Sequence, residues 1–267
     1  MSLTLITSIL FIIGILGGAL VSLAGVGCTL LFLPTLLFWF PHFLPTTLAT
    51  KMAIATTLAA TTIAAIFTTY LHIKNKNINF KLSRVIIILY LITATTGPYL
   101  VHYLRVSMYE FIIGIVLIFV ALRLITKKIK HNYNPTKANP LLFTFAILVA
   151  GFANSICGIG AGNVAIPYLS RHYPYKTAIG TSIFCALFTC LISAVSYIIY
   201  GWDLPDLPRF AAGYVYLPAF IALSIGVIVG TPLGYLLSKK IHISKINYIL
   251  ATVVAAAGIF AIVKSLP

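Results

Sequence analysis

The chain carries three carboxylates, Glu110, Asp203 and Asp206, and eighteen Lys and Arg. All three acids lie at or near the edges of apolar stretches. No paired acid/base site, no cage for a hard cation and no carboxylate relay across a membrane can be assembled from them. The cysteines Cys28, Cys157, Cys185 and Cys190 sit inside apolar stretches without metal-ligand spacing, and they read as small buried hydrophobes. The histidines fall near segment ends or in loops, with no ligand pair at helical spacing. With neither a nucleophile–base pair nor a metal cluster visible, no enzyme, catalytic residue, metal or cofactor is expected.

The glycines are more informative. Two Gly-rich breaks interrupt apolar sequence, Ala24-Gly25-Val26-Gly27-Cys28-Thr29 and Cys157-Gly158-Ile159-Gly160-Ala161-Gly162-Asn163. Each precedes a short apolar run ending near a proline, Pro34 or Pro167. A helix opening after the last glycine has unpaired N–H groups and the positive end of its dipole at the break. Two such ends facing each other form an anion site. Gly25, Gly27, Gly158, Gly160 and Gly162 would let the backbone approach the ligand, with Cys28 beside them and Thr29 and Asn163 as side-chain donors and caps. Taken singly, Gly27 or Gly162 reads as a helix-packing glycine. Thr181 and Ser182 either bond ligand oxygens or bond back to their own helix. Lys51, inside an apolar segment, either pairs with a bound anion or snorkels to the interface.

These residues must be positioned by membrane-spanning helices. The chain is 61% hydrophobic and 8% charged with a mean hydropathy of +1.07, which describes a polytopic membrane protein. The first segment reads as a spanning element and not as a cleavable signal sequence. Apolar segments are expected at 3–24, 28–40, 46–72, 83–104, 107–126, 140–157, 161–170, 177–200, 211–237 and 244–264. Gly17–Pro34 aligns without gaps on Ala150–Pro167, with Gly18, Ser22, Gly25, Gly27 and Pro34 matching Gly151, Ser155, Gly158, Gly160 and Pro167. The same offset of 133 brings Gly97, Leu100 and Leu104 onto Gly230, Leu233 and Leu237. A duplication follows, with a first repeat at 1–126, a basic cytoplasmic linker at 127–139 and a second repeat at 140–267. Gly97-Pro98 and Gly230-Thr231-Pro232 free carbonyls in equivalent helices that a neighbour must satisfy.

If each break tips a re-entrant hairpin followed by three crossings, fourteen of the eighteen basic residues fall on one face. Arg105, Arg209 and Lys264 fall on the other and Lys51 within a segment. The positive-inside rule favours this arrangement. The expected fold is thus all-α, with two inverted repeats of one Gly-tipped broken helix or re-entrant hairpin and three transmembrane helices each. The net charge of +15 then records orientation in the bilayer, and no nucleic-acid partner is implied.

The duplicated Gly-hydrophobic-Gly break, the short run to proline and Ala178-Ile179-Gly180-Thr181-Ser182 opening the next helix resemble the TauE/SafE sulfite-exporter family along essentially the whole chain. The resemblance implies a plasma-membrane permease for a small sulfur-containing anion, such as sulfite or an organosulfur anion, held between the breaks of repeats that move against each other. Cys28, Thr29 and Ala161 stand where the family pattern would carry glycine, and Lys51-Met52 stands where the first half would repeat Thr181-Ser182. The direction of transport, the coupling ion and homo-oligomerisation stay open, and a structural or assembly subunit is the competing class.

Overall fold

Long apolar runs separated by capped breaks fold as helices wherever each backbone group can be bonded within its own segment, the one solution open to a single run in lipid. The computed structural model describes residues 3–24, 28–126, 139–237 and 243–266. Gly25, Gly27 and most of the linker, 127–138, lie outside these residues. The described helices are α1 (Leu3–Ala24), α2 (Cys28–Trp39), α3 (Thr46–Lys74), α4 (Phe80–Tyr103), α5 (Val106–Thr126), α6 (Pro140–Cys157), α7 (Gly162–His172), α8 (Tyr175–Gly201), α9 (Leu217–Leu237) and α10 (Ile243–Ser265). Eight of these are long and apolar enough to cross a bilayer; α2 and α7 are the two short ones. The Asn79 side chain caps α4 by accepting from Leu82 N–H, and Asn139 caps α6 by accepting from Leu141 N–H.

One expected segment begins too early. Residues 211–216 form a small antiparallel hairpin, β1 (Ala211–Ala212) paired with β2 (Val215–Tyr216), in the register Ala211 to Tyr216 and Ala212 to Val215. Gly213 turns it at φ +54, where a Cβ would strike the Ile198 carbonyl, so apolar composition alone misassigned a stretch whose turn needs glycine.

The bundle is reversed relative to a soluble protein. Ile12, Ile88, Phe119, Ile199 and Ile249 point outward, while Thr56, Thr57, Thr61, Thr181, Ser182, Thr189 and Ser193 are buried. The most enclosed spanning helix is α3, and it hides several of its own hydroxyls: Thr61, Thr62 and Thr68 donate to the carbonyls of Thr57, Leu58 and Ala64. Pro98 leaves the Ala94 carbonyl without its helical donor, and the Ser193 hydroxyl of α8 supplies one at 3.3 Å.

Contacts fix the direction of each helix. Gly17 of α1 faces the Phe32 ring of α2, and Ile6 shares a groove with Phe38, Trp39 and Phe43, so α2 returns to the end where α1 starts. The Tyr168 ring lies 6.2 Å from Phe143, so α7 likewise returns to the start of α6. The Phe40 ring, just after α2, meets the Tyr216 ring edge-on just before α9, which places the first hairpin at the end carrying Asp203 and Asp206. The second hairpin starts at the opposite, basic end, with Lys74, Lys81, Arg84, Arg171 and Lys176, because α6 runs parallel to α4: Gly151 meets Thr93 and Gly97 meets Ser155. In the same way α1 runs parallel to α9, Gly14 meeting Gly226 and Gly18 meeting Val227. Between the hairpins lie α3 and α8, packed on each other.

Candidate anion site

The second break is held in a conformation that its sequence explains residue by residue. Gly158 ends α6 in the left-handed region at φ +63, and its N–H bonds the Asn154 carbonyl at 2.8 Å. Gly160 follows at φ +83, where a Cβ would come 2.8 Å from Thr29 Oγ1. Both positions require glycine.

The carbonyls around the break are consumed. Tyr197 Oη donates to the Ser155 carbonyl at 3.0 Å and Tyr109 Oη to that of Ile156 at 2.6 Å, neutralising the last turn of α6. The Ile159 carbonyl accepts from Thr29 Oγ1 at 3.0 Å and from the Asn163 side-chain amide. Asn163 has a carbonyl of its own to satisfy, because its helical donor would be residue 167, a proline. The Arg123 guanidinium of α5 fills that role at 2.7 Å. With the acceptors occupied, the N–H groups of Gly160, Ala161 and Gly162 have no acceptor among the described residues. They stand at the positive end of α7.

A cavity of about 50 Å³ opens at this point. Its walls include Cys28 and Thr29 from the first turn of α2, Thr61 from α3, the strand of chain Gly160–Gly162, and Ser182 and Cys190 from α8. Ser182 is 1% exposed, and its hydroxyl has no hydrogen-bond partner. Leaving a buried hydroxyl unpaired costs about 1–3 kcal/mol, so an oxygen-bearing guest would relieve a standing penalty. The groove of 790 Å³ between Pro34–Trp39 and Val253–Val263 is walled mainly by aliphatic and aromatic side chains and offers an anion little to bond.

Of the residues singled out in the sequence, Cys28, Thr29, Gly160, Gly162 and Ser182 line this cavity. Gly158 and Asn163 shape the break behind it, and Gly25 and Gly27 lie outside the described residues. Thr181 turns elsewhere: its Oγ1 accepts the Asn79 N–H at 3.0 Å, tying α8 to the entry of α4. Lys51 also stands apart from the cavity wall. Its Nζ donates to the His102 carbonyl at 2.9 Å in the last turn of α4 and lies 5.9 Å from the centre of the Tyr214 ring. That position favours a cation through the negative end of the helix. Burial pushes the Tyr214 phenol above its ordinary value, so it faces Lys51 as a neutral ring. Glu110 is occupied as well, accepting from Thr50 at 2.5 Å and paired with Lys264 at 2.5 Å. No group of three His, Cys, Asp or Glu suited to a metal occurs among the described residues.

Nothing in the sequence marks Tyr109 and Tyr197, whose roles depend on carbonyls from another helix. Arg123 had one: it is a cation in the last turn of an apolar segment, 40 residues before the carbonyl it serves.

The family profile described as "Sulfite exporter TauE/SafE" matches residues 10–261. The chain belongs to this family. A "Probable membrane transporter protein" of Haemophilus influenzae is 27% identical over 253 residues, covering 93% of this chain and 96% of the relative. One from Methanocaldococcus jannaschii is 28% identical over 259 residues, covering 96% and 95%. A third, from Bacillus subtilis, is 23% identical over 276 residues, covering 94% and 95%. No solved structure matches the chain. As a TauE/SafE member, the protein is a multi-pass membrane protein of a transporter family and not an enzyme.

Proposed function

We infer that the protein is a permease of the plasma membrane for a small sulfur oxyanion, sulfite or an organosulfur anion, bound between the first turns of α2 and α7. The observation that carries this reading is the unpartnered, buried Ser182 hydroxyl facing a cavity walled by both helix starts. Two positive helix ends suit a negative guest, and no carboxylate lines the cavity to repel it.

The reading includes two inverted repeats, 1–126 and 140–267, joined by a cytoplasmic linker at 127–139. The packing partners support it. The pair α1 with α9 has its counterpart in α6 with α4, α2 with α3 in α7 with α8, and α3 with α9 in α8 with α4. Such an arrangement allows alternating access when the two hairpins shift against α3 and α8. The positive-inside rule puts the end bearing Lys74, Arg84 and Lys176 in the cytoplasm. An inside-negative potential then favours export of an anion by about 2.3 kcal/mol per charge per 100 mV.

Purified protein titrated with sulfite, thiosulfate, alkyl sulfonates and carboxylates tests the assignment through its melting temperature. Binding to the folded state raises it by mass action, and sulfite or a sulfonate is expected to do so most strongly. A flat response to every anion would leave the glycine breaks as packing devices and the protein as an assembly subunit.

A further inference from the structure

The cavity is not uniform along its length. On α8 its wall is the stripe Ser182, Ala186 and Cys190, spaced four residues apart and spanning about 12 Å of helix. Because α8 runs from the basic end to the Asp end, Ser182 stands on the basic side of the cavity and Cys190 on the Asp side. On α3, which runs the other way, Thr61 precedes Ala64 and Ala65 and is the wall residue nearest the Asp end. Cys28 Sγ lies 3.8 Å from Thr61 Oγ1 and so joins Cys190 on the Asp side. Gly162 joins Ser182 on the basic side, the place of its missing Cβ lying 3.6 Å from Ser182 Oγ.

The two sides differ in chemistry. On the basic side hydrogens are available: the Ser182 hydroxyl has no partner, and the N–H groups of Gly160, Ala161 and Gly162 have no acceptor among the described residues. On the Asp side the side-chain hydrogens are already committed. Thr61 donates to the Thr57 carbonyl at 2.7 Å, and the Cys28 thiol donates to Thr61. Cys190 Sγ accepts from Asn154 Nδ2 at 3.5 Å and directs its own hydrogen to Asn154 Oδ1 at 4.0 Å. What remains there is the polarisable surface of two sulfurs, buried and free of any disulfide, with no side-chain hydrogen to offer a guest.

We propose that Cys28 and Cys190 are specificity-determining residues that make the cavity select sulfur oxyanions having one oxygen-free side. The proposal rests on the permease reading above and narrows its substrate class. The guest's oxygens accept from Ser182 and the Gly160–Gly162 N–H groups, and its oxygen-free side, the bare sulfur of sulfite, the methyl of methanesulfonate or the terminal sulfur of thiosulfate, rests on the two thiols. Sulfate and phosphate have the same trigonal set of oxygens plus a fourth, which would be pressed against sulfur lone pairs without a hydrogen bond. A site rejects a guest strongly when a buried polar atom is left unpaired. The volume agrees with a guest of this size, since 50 Å³ is room for about three to five groups as large as a water.

The test is the binding of sulfite, methanesulfonate, thiosulfate, sulfate and phosphate to the purified protein, read as the half-saturating concentration for the rise in melting temperature. It is done without air and in alkaline buffer, where sulfite, thiosulfate and sulfate are all dianions and sulfite differs from sulfate only in the fourth oxygen. Wild type is expected to need about 10-fold more sulfate than sulfite, or more. In the double variant Cys28→Ser, Cys190→Ser the near-isosteric hydroxyls can turn a hydrogen to the fourth oxygen, and the gap is expected to narrow to about 3-fold or less. Each single serine variant closes part of the gap, so the reading does not depend on the double variant folding. Wild type that binds sulfate as well as sulfite, or serine variants that lose affinity equally for both or keep the wild-type preference, overturns the proposal and leaves the permease reading in place. No response to any of the five anions overturns the permease reading and the proposal with it.

Discussion

At the scale of single residues, the chemistry depends on which polar groups are left over. Ser182 is left over at the cavity; Lys51 is not, since its ammonium caps the end of α4 through the His102 carbonyl. Lys51→Met should therefore lower the melting temperature, by a loss on the order of 1–3 kcal/mol, while sulfite-dependent stabilisation persists. A thermal titration of the variant checks both halves, and loss of the sulfite response in a stably folded variant would return Lys51 to the anion. Glycine spacing brought Thr29 and Gly160 forward, because it marks backbone that something must approach, and Ser182 came from the family resemblance of Ala178–Ser182. The sequence could not separate Thr181 from Ser182, adjacent hydroxyls of which one is consumed by Asn79 and the other is not, since that depends on a loop about a hundred residues away.

At the scale of elements, α7 shows how a short helix is kept inside a membrane. Pro167 ends the run legibly in the sequence and at the same time removes the donor that Asn163 needs; Arg123 repairs the loss from α5. Arg123→Met should destabilise the protein by about 1–3 kcal/mol. In a Pro167→Ala background the same change should cost less, because residue 167 again offers an N–H. A double-mutant cycle of melting temperatures reads the coupling, and strict additivity would mean that Arg123 acts on something other than this carbonyl. Helix positions were legible to within a few residues because apolar length is a local property; α4 was expected from 83 because its polar first turn, opened by the Asn79 cap, is not apolar enough to be read that way. The hairpin at 211–216 was not, since Ala211, Ala212, Val215 and Tyr216 are as apolar as the helix they precede.

At the scale of the whole molecule, both hairpins return to the ends from which they start, and those ends are opposite. Cysteines introduced at the exposed positions Asn75 and Asp206, with the four native cysteines changed to alanine, should react with an impermeant reagent from opposite sides of a sealed vesicle. Reaction of both from one side would refute the arrangement. The glycine contacts then bear on what can exist as a stable piece. Gly14 and Gly18 hold α1 against Gly226 and Val227 of α9, whereas Gly97 of α4 is closed on Ser155 of α6, and backbones this close slide poorly. Each hairpin is thus seamed to a helix encoded in the opposite half of the chain. Cutting the linker would release two fragments, neither of which holds both sides of either seam, so each half of the chain depends on the other for the packing of its first helix.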